Sequence, residues 1–264
     1  MSEVDVEIID THVHAQPSLT DVETPPDRLA LAEVFSECRH PVRLVVSCSE
    51  SSPVLTGGRN VTMMRSLGRV VRALPERFIG ALMVEPHATD DALEAIELGV
   101  REYGLRLVGE QCQYVHGYRT DGPEMLPIVQ RAVDLDVAVS FHITSERHAE
   151  RLGRLAERFP RARFLAAHYA GGRSWRRGLR TLKQHANVSV EIQAVEPERI
   201  AGTLDAVGAR RITIGTDFFL HGRDDCRYRR GDRIVDCLRA LKVCEVDIAR
   251  ICSGNAREFL KCEG

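Results

Sequence analysis

The stretch Ile8-Ile9-Asp10-Thr11-His12-Val13-His14 predicts a β-strand whose apolar start leads into alternating polar residues. Side chains along a strand alternate between its two faces, so a period of two places Asp10, His12 and His14 on one face. Two histidines on one face can bind a cation through neutral ring nitrogens, and Asp10 could orient one of the rings. The alternative is that these polar residues merely end a strand at the surface.

Further short β-branched runs follow along the chain, and amphipathic helical segments separate them. The predicted strands are Glu7–Asp10, Arg43–Cys48, Phe78–Val84, Gly104–Val108, Val137–Phe141, Arg163–Ala167, Val188–Ile192 and Arg211–Gly215. The predicted helices are Arg28–Cys38, Val61–Leu74, Asp90–Glu102, Glu124–Leu135, Glu146–Phe159, Trp175–His185, Pro197–Val207 and Arg233–Leu241. This alternation predicts parallel strands with right-handed crossovers, either in a closed barrel or in a doubly wound sheet.

The fold that we predict is of the α/β class, a (β/α)8 TIM barrel that forms a single domain over residues 1–264. No Gly-x-Gly-x-x-Gly motif follows the first strand, which disfavours a doubly wound dinucleotide-binding sheet. The 264 residues are close to the roughly 250 that such a barrel usually requires. Catalytic groups in this barrel lie at the carboxyl ends of the strands, so the residues at those positions decide the function.

Composition limits the expected partners and location of the protein. The net charge of −2 is not typical of a nucleic-acid-binding protein, and no apolar run approaches the roughly 20 residues of a membrane span. A small molecule is therefore the expected partner, and whether the chain forms a homo-oligomer stays open. The start of the sequence lacks signal-peptide features and the eight cysteines include no Cys-x-x-Cys pair, so we expect a cytoplasmic location.

Three more of the predicted strands end in a residue type that binds metals. His142, His168 and Asp217 follow the apolar parts of strands five, six and eight. Any one of them could be a hydrogen-bonded core histidine or a helix-capping aspartate. Closure of the barrel brings strand eight beside strand one, however, so the three residues together with His12 and His14 favour a metal centre.

The ordered set of these residues resembles the amidohydrolase superfamily. The similarity rests on Ile9-Asp10-Thr11-His12-Val13-His14, the histidines that end strands five and six, Gly215-Thr216-Asp217, and Gly254-Asn255-Ala256. It is strongest to the compact amidohydrolase-related branch, which includes hydrolases and decarboxylases similar to aminocarboxymuconate-semialdehyde decarboxylase. The resemblance implies one or two divalent cations, zinc first and manganese as the alternative. They would be held by His12, His14 and Asp217, with His142 and His168 as ligands or substrate-polarising groups.

Strand four distinguishes a centre with one cation from a centre with two. Many members of the superfamily have a carbamylated lysine there, but no lysine precedes Lys183 in this chain, so that bridge is excluded. A Schiff-base aldolase is also disfavoured, because Lys183 lies in a predicted helix. Gly109-Glu110 instead resembles the bridging glutamate of metal-dependent deoxyribonuclease relatives. Glu110 is therefore a predicted metal ligand, unless it lies in a mobile loop and contacts only water.

Loops after the strands contain the candidates for substrate binding. Arg173, which follows Gly171-Gly172, and Tyr114 and His116 after strand four are the predicted contacts. Further arginines follow strands six and eight: Arg176, Arg177, Arg223, Arg227, Arg229 and Arg230. Guanidinium groups near a metal would suit a carboxylate or phosphate on the substrate. Only three of the 36 basic residues are lysines, however, so arginine is also the usual surface cation of this chain.

Three functions are compatible with the sequence. The first is hydrolysis of an amide, lactone or related bond in a small anionic molecule, with Asp217 as the general base and His142 or His168 stabilising the oxyanion. The second is nonoxidative decarboxylation on the same scaffold, which a one-cation centre would favour. The third is a catalytically silent barrel that binds a metabolite. It predicts that part of the ligand set is missing, whereas the set is complete.

Overall fold

Eight parallel strands close into a barrel in the computed structural model, which describes residues 6–20, 26–168, 175–193, 196–221 and 226–262. The strand segments are β1 (Ile8–Ala15), β2 (Val42–Cys48), β3 (Phe78–Leu82), β4 (Leu107–Gln111), β5 (Ala138–His142), β6 (Phe164–Ala167), β7 (Val188–Ile192), β8 (Ile212–Ile214) and β9 (Phe218–Leu220). Each strand from β1 to β7 pairs with the next, and β8 pairs with β1. The predicted (β/α)8 barrel is confirmed, while its extent as a single domain over all residues stays a prediction.

Helices cover the outer face of the barrel. They are α1 (Arg28–Glu33), α2 (Pro53–Thr56), α3 (Asn60–Ala73), α4 (Thr89–Tyr103), α5 (Gln113–His116), α6 (Met125–Asp134), α7 (Glu146–Arg158), α8 (Trp175–Leu182), α9 (Pro197–Val207), α10 (Arg230–Ala240), α11 (Glu245–Ala249) and α12 (Asn255–Leu260). In α7 the hydroxyl of Ser145 caps the first turn by accepting from the amide of His148 at 3.2 Å. The buried positions of α7 recur every three or four residues: Ala149, Leu152, Leu155 and Ala156. In the described part of the chain, no helix has both the length and the apolar character to cross a membrane.

The amino end of the barrel is filled by apolar side chains and closed by α12. Seven residues from the strands point into it: Ile9, Val45, Ile79, Ala81, Leu107, Ala138 and Leu165. Phe259 and Leu260 of α12 pack against this group. The side-chain amide nitrogen of Asn255 donates to the backbone carbonyls of Ala209 and Ile212, both at 2.6 Å, which fixes α12 to the start of β8.

Two β-bulges direct side chains from β1 and β4 into the other end of the barrel. In β1 the register with β2 shifts between Asp10 and Val13, and in β4 the register with β5 shifts between Val108 and Gln111. Each shift adds one residue to its strand. The side chains after the bulge therefore lie on the face opposite to the one that strict alternation would give. His12 can therefore lie on the same side of the sheet as Ile9, three residues earlier, which strict alternation would forbid.

The strand bounds differ from the prediction at two functional positions. Strand four begins and ends three residues later than predicted, so Glu110 lies within β4 and is 4% exposed. The alternative that Glu110 lies in a mobile loop is therefore wrong. Strand eight is interrupted at residues 215–217 and resumes as β9, which pairs with β1 from Val13 to Ala15. The interruption contains Asp217, whose φ of 54° is incompatible with a continuous strand.

Candidate metal centre

Six predicted ligands lie at the carboxyl ends of the strands, and the structure brings all of them together. They are His12 and His14 on β1, Glu110 on β4, His142 at the end of β5, His168 after β6, and Asp217 between β8 and β9. Within the cluster, three overlapping groups each have ligand atoms within 4.8 Å of one another, as a shared cation requires. The groups are His12, His14 and Glu110; His12, His168 and Asp217; and Glu110, His142 and His168.

Glu110 lies between two pairs of histidines, and each of its carboxylate oxygens faces a different pair. Oε2 is 3.2 Å from Nε2 of His12 and 3.6 Å from Nε2 of His14. Oε1 is 3.0 Å from Nδ1 of His142 and 3.2 Å from Nε2 of His168. We call His12 and His14 the inner pair, since their side chains are 3% and 4% exposed. His142 and His168, which are 17% and 13% exposed, form the outer pair.

Asp217 approaches the inner pair from strand eight. Its Oδ1 is 3.3 Å from Nε2 of His14 and 3.7 Å from Nε2 of His12. The side chain is 22% exposed, more than that of any other ligand candidate, so Asp217 is the member best placed to meet water. Asp217 and His168 both have positive φ angles, 54° and 58°, which are uncommon for residues other than glycine. The amide of Asp217 donates to the carbonyl of His12 at 2.9 Å and stabilises this conformation.

Opposite charges lie close together in this buried cluster. Burial by itself raises the pKa of Glu110, but the charge of His12 and hydrogen bonds from the histidines lower the pKa well below its usual value. Burial lowers the pKa of His12, yet the charges of Glu191 and Glu110 raise the pKa well above its usual value. A divalent cation held by the same atoms would replace the imidazole protons, because metals bind neutral imidazole and ionised carboxylate. The donor set therefore fits a divalent cation.

Glu191 contacts the cluster directly, and sequence reasoning did not identify it. It lies on β7 with a fully buried side chain, and its Oε1 is 2.8 Å from Nδ1 of His12. The same oxygen accepts a hydrogen bond from the amide of His168 at 3.2 Å, so Glu191 connects the inner and outer pairs. A carboxylate bonded to the far nitrogen of a ligating imidazole orients the ring and makes it more basic. The sequence feature that could have identified Glu191 is its position as a charged residue inside an apolar strand. Buried glutamates are rare unless they are paired.

Two further acceptors orient the imidazoles of His14 and His168. The carbonyl of Cys48 lies 3.1 Å from Nδ1 of His14, and the side-chain oxygen of Gln193 lies 3.0 Å from Nδ1 of His168. Both acceptors are carbonyl oxygens, which cannot donate a hydrogen bond, so the ring nitrogen is the hydrogen-bond donor in each case. The Nε2 atoms of these histidines are then left with lone pairs that face the cluster, as metal binding requires.

Asp10 does not orient an imidazole, contrary to the expectation from the sequence. Its carboxylate accepts hydrogen bonds from the amide of His12 at 3.1 Å, the amide of Thr216 at 3.0 Å and the hydroxyl of Tyr228 at 2.9 Å. The hydroxyl of Thr216 is a fourth donor. The bulge in β1 separates Asp10 from the face that holds the histidines. Asp10 instead fixes the turn that carries Asp217 against β1.

The residues predicted to bind substrate have different surroundings. Arg173 lies outside the described residues. Tyr114 is 55% exposed, and its ring meets the ring of His142 edge-on with 4.9 Å between centroids, so it lies at the mouth of the cluster. The side chain of His116 is 3% exposed and is paired with Glu85. The structure therefore places Tyr114 beside the outer pair, whereas His116 is turned towards Glu85.

The closed barrel and the cluster at its strand ends define a metal-binding (β/α)8-barrel protein. A family model described as amidohydrolase matches residues 9–262, and the chain therefore belongs to the amidohydrolase family. The resemblance inferred from the sequence is thereby confirmed. A search of curated proteins gave no match.

Solved structures share the fold at low sequence identity. A 5-carboxyvanillate decarboxylase from Novosphingobium aromaticivorans, complexed with manganese and 4-hydroxy-3-methoxy-5-nitrobenzoic acid, has 14% identity and a TM-score of 0.72, over 98% of this chain and 97% of that one. A 4-oxalomesaconate hydratase from Rhodopseudomonas palustris has 16% identity and a TM-score of 0.67, over 96% and 95%. A probable 2-pyrone-4,6-dicarboxylic acid hydrolase from Acinetobacter baumannii has 14% identity and a TM-score of 0.63, over 97% and 99%. Identities this low establish the shared fold alone.

Proposed function

We propose that the protein is a hydrolase that uses two divalent cations to cleave an amide, lactone or related C–N or C–O bond in a small anionic molecule. The position of the Glu110 carboxylate carries this proposal, because its two oxygens face two separate pairs of histidines. A carboxylate in this position can bridge two cations. Two-cation centres suit hydrolysis, in which the attacking and the leaving atoms both require stabilisation.

Each half of the cluster would hold one cation. The inner pair, Oε2 of Glu110 and Asp217 would hold the first, and the outer pair with Oε1 of Glu110 would hold the second. Such cations activate water as a nucleophile near neutral pH and polarise the bond that it attacks. Imidazole and carboxylate ligands suit zinc first, with manganese as the alternative.

Asp217 is proposed to accept the proton of the attacking water and to pass it to the leaving group. Burial raises the pKa of Asp217, but the hydrogen bond from His14 and the charges of the histidines lower it below its usual value, so the carboxylate is ionised. In a two-cation centre, His142 and His168 serve as ligands. In a one-cation centre, they would instead stabilise the oxygen that gains negative charge.

Nonoxidative decarboxylation is the second candidate. The structurally similar 5-carboxyvanillate decarboxylase, which was solved with manganese and a nitrobenzoic acid, shows that this fold can hold a carbon–carbon lyase. In this chain the reaction would need one cation in the inner half. The outer pair would then orient the carboxylate of the substrate, and Glu110 would contact the cation through one oxygen only.

Metal titration combined with a substrate screen separates the two candidates. After chelation, the protein is titrated with zinc or manganese and then tested on amides, lactones and aromatic acids. A hydrolase should bind about two ions per chain and cleave an amide or lactone, and Glu110→Gln should reduce binding to about one ion. Glu94→Gln, an exposed residue on α4, is the matched control and should leave binding unchanged. Saturation of the wild type at one ion, with release of carbon dioxide from an aromatic acid, would refute the hydrolase.

The proposed substrate is a small molecule that carries a carboxylate or phosphate.

The location of the protein in the cytoplasm stays a prediction. It is consistent with eight free cysteines, all within the described residues, because a reducing compartment keeps thiols unpaired. Whether the chain forms a homo-oligomer stays open.

A further inference from the structure

A group of arginines lies on the outer face of the barrel, between α7 and the loop that precedes α6. Its members are Arg119 in the loop and Arg147, Arg151 and Arg154 on α7, and we call them the basic cluster. Spacings of four and three residues place the three arginines of α7 on one face of the helix. Asp121, in the same loop as Arg119, faces them. The loop and the helix therefore meet through a set of charged side chains.

One carboxylate does not neutralise the basic cluster. Oδ1 of Asp121 accepts from Arg119 at 3.0 Å and Oδ2 accepts from Arg154 at 2.8 Å, so both oxygens are already used. Arg151 lies 3.9 Å from Oδ1 of Asp121. Among the described residues, no other carboxylate is within ion-pairing distance of the four guanidinium groups, and Arg147 has no acidic partner. Four positive charges therefore face one negative charge.

Arg151 is the member of the basic cluster whose charge water compensates least. Its side chain is only 13% exposed, so its guanidinium group is poorly hydrated. Burial lowers the pKa of Arg151, and the charges of Arg147 and Arg119 lower the pKa further. Like charges four residues apart also destabilise a helix. An anion bound between Arg151 and its neighbours would relieve this repulsion.

Two side chains link the basic cluster to the metal centre, but the cluster is separate from the centre. His148, next to Arg147 on α7, accepts a hydrogen bond at 3.1 Å from the side-chain amide of Gln113. The same amide nitrogen donates to the carbonyl of His142, in the outer pair, at 2.9 Å. In the part of the chain that the structure describes, no ion pair joins the four arginines to a ligand candidate of the metal centre. A molecule bound to the basic cluster would therefore bind apart from the cations.

We propose that the basic cluster binds a phosphate group, either as the free ion or as a monoester on a small molecule. The site lies outside the metal centre, so the inference goes beyond the proposed hydrolysis. A phosphate group has three or more acceptor oxygens and about 1.5–2 negative charges at neutral pH, whereas a carboxylate has two oxygens and one charge. Arg119, Arg147 and Arg151 supply guanidinium groups from two elements, and a guanidinium group can pair with phosphate through two parallel hydrogen bonds. The excess of positive charge therefore suits phosphate better than a carboxylate.

Calorimetric titration with inorganic phosphate, glycerol phosphate and malonate tests the proposal, at an ionic strength that sodium chloride keeps constant. The metal-loaded protein and the protein after chelation are titrated in parallel. Phosphate binding of the same affinity should appear in both, since the basic cluster contains no proposed metal ligand. Arg151→Gln should weaken this binding about tenfold, the usual effect of losing a charge-assisted hydrogen bond. Arg151→Lys should recover part of the loss.

Two further variants complete the experiment. Arg147→Gln replaces an exposed side chain, so it should leave the fold intact and weaken phosphate binding by a smaller factor. It therefore tests the cluster even if Arg151→Gln does not fold. Arg101→Gln, exposed on the last turn of α4 and therefore near the start of β4, is the matched control and should change nothing.

Three outcomes would overturn the inference. One is that neither phosphate nor glycerol phosphate binds to the chelated protein, which would assign any phosphate binding to the cations. Another is that the wild type and both glutamine variants bind phosphate with equal affinity. The third is that malonate binds as tightly as phosphate, because the cluster would then respond to charge alone. With dependence on Arg151 retained, tighter binding of glycerol phosphate would support a monoester as the ligand, and tighter binding of inorganic phosphate would support the free ion.

Discussion

The two ends of the barrel use the same strands but opposite kinds of residue. At the amino end, Ile9 of β1 and Leu107 of β4 belong to an apolar cluster that Phe259 of α12 seals. Three residues further along the same strands lie His12 and Glu110, which belong to a buried cluster of ligand groups. The change of polarity occurs across the bulge in each strand.

This difference shows how the barrel separates stability from chemistry. Apolar burial at the amino end contributes to stability, because it removes hydrocarbon surface from water. The carboxyl end instead brings several charges together, which is costly unless each is paired or binds a metal. The two ends should therefore respond independently to substitution, and the following predictions test that independence in order of decreasing effect.

The largest effect is expected from Asp217→Asn at the carboxyl end. The substitution keeps the size of the side chain and one oxygen but removes the proton acceptor. Turnover of a substrate found in the screen should fall by roughly 10²–10⁴-fold, the usual cost of losing a general base. Bound metal is measured in the same preparation, and Asp205→Asn, exposed on α9, is the control. A variant that retains metal and turns over at the wild-type rate would show that another group handles the proton.

Glu191→Gln should have a smaller effect, on metal affinity. Glu191 contacts His12 and the amide of His168 without facing the cation sites itself. Loss of a carboxylate that orients a metal-binding histidine typically lowers metal affinity by about 10–100-fold. Competition with a chelator dye measures the affinity, and the number of ions bound should stay the same. Affinity equal to the wild type would mean that the imidazole is held by its other contacts.

Phe259→Leu at the amino end should have the smallest effect, and on stability alone. Phe259 is 6% exposed, and its replacement removes part of the apolar surface that seals the barrel. Urea unfolding in the presence of chelator should show a loss of roughly 1–2 kcal/mol. Metal stoichiometry and turnover should not change. A clear loss of metal affinity in this variant would contradict the independence of the two ends.

Much of the fold and the ligand set follows from local features of the sequence. Apolar runs separated by amphipathic helices predict the barrel, because periodicity is a property of neighbouring residues. His142 and His168 were identifiable because each follows directly on an apolar strand. The six ligand candidates lie together in the structure, although their assignment as ligands stays a proposal.

The features that could not be predicted from the sequence depend on contacts between residues that are distant along the chain. A bulge changes neither composition nor hydropathy, so the positions of Asp10 and Glu110 relative to the barrel interior could not be predicted from alternation. Glu191 contacts His12 from 179 residues further along the chain, and its role depends on that pairing. The interruption of strand eight follows from the hydrogen bonds between Asp10 and Thr216, 206 residues apart.

The bridging position of Glu110 is tested most directly by anomalous diffraction from crystals grown with manganese. Two peaks are expected about 3.5–4 Å apart, as in other two-cation centres. One should lie next to Oε2 and the inner pair, and the other next to Oε1 and the outer pair. A single peak, bonded to one oxygen of Glu110 and to neither His142 nor His168, would contradict the two-cation centre and with it the proposed hydrolase.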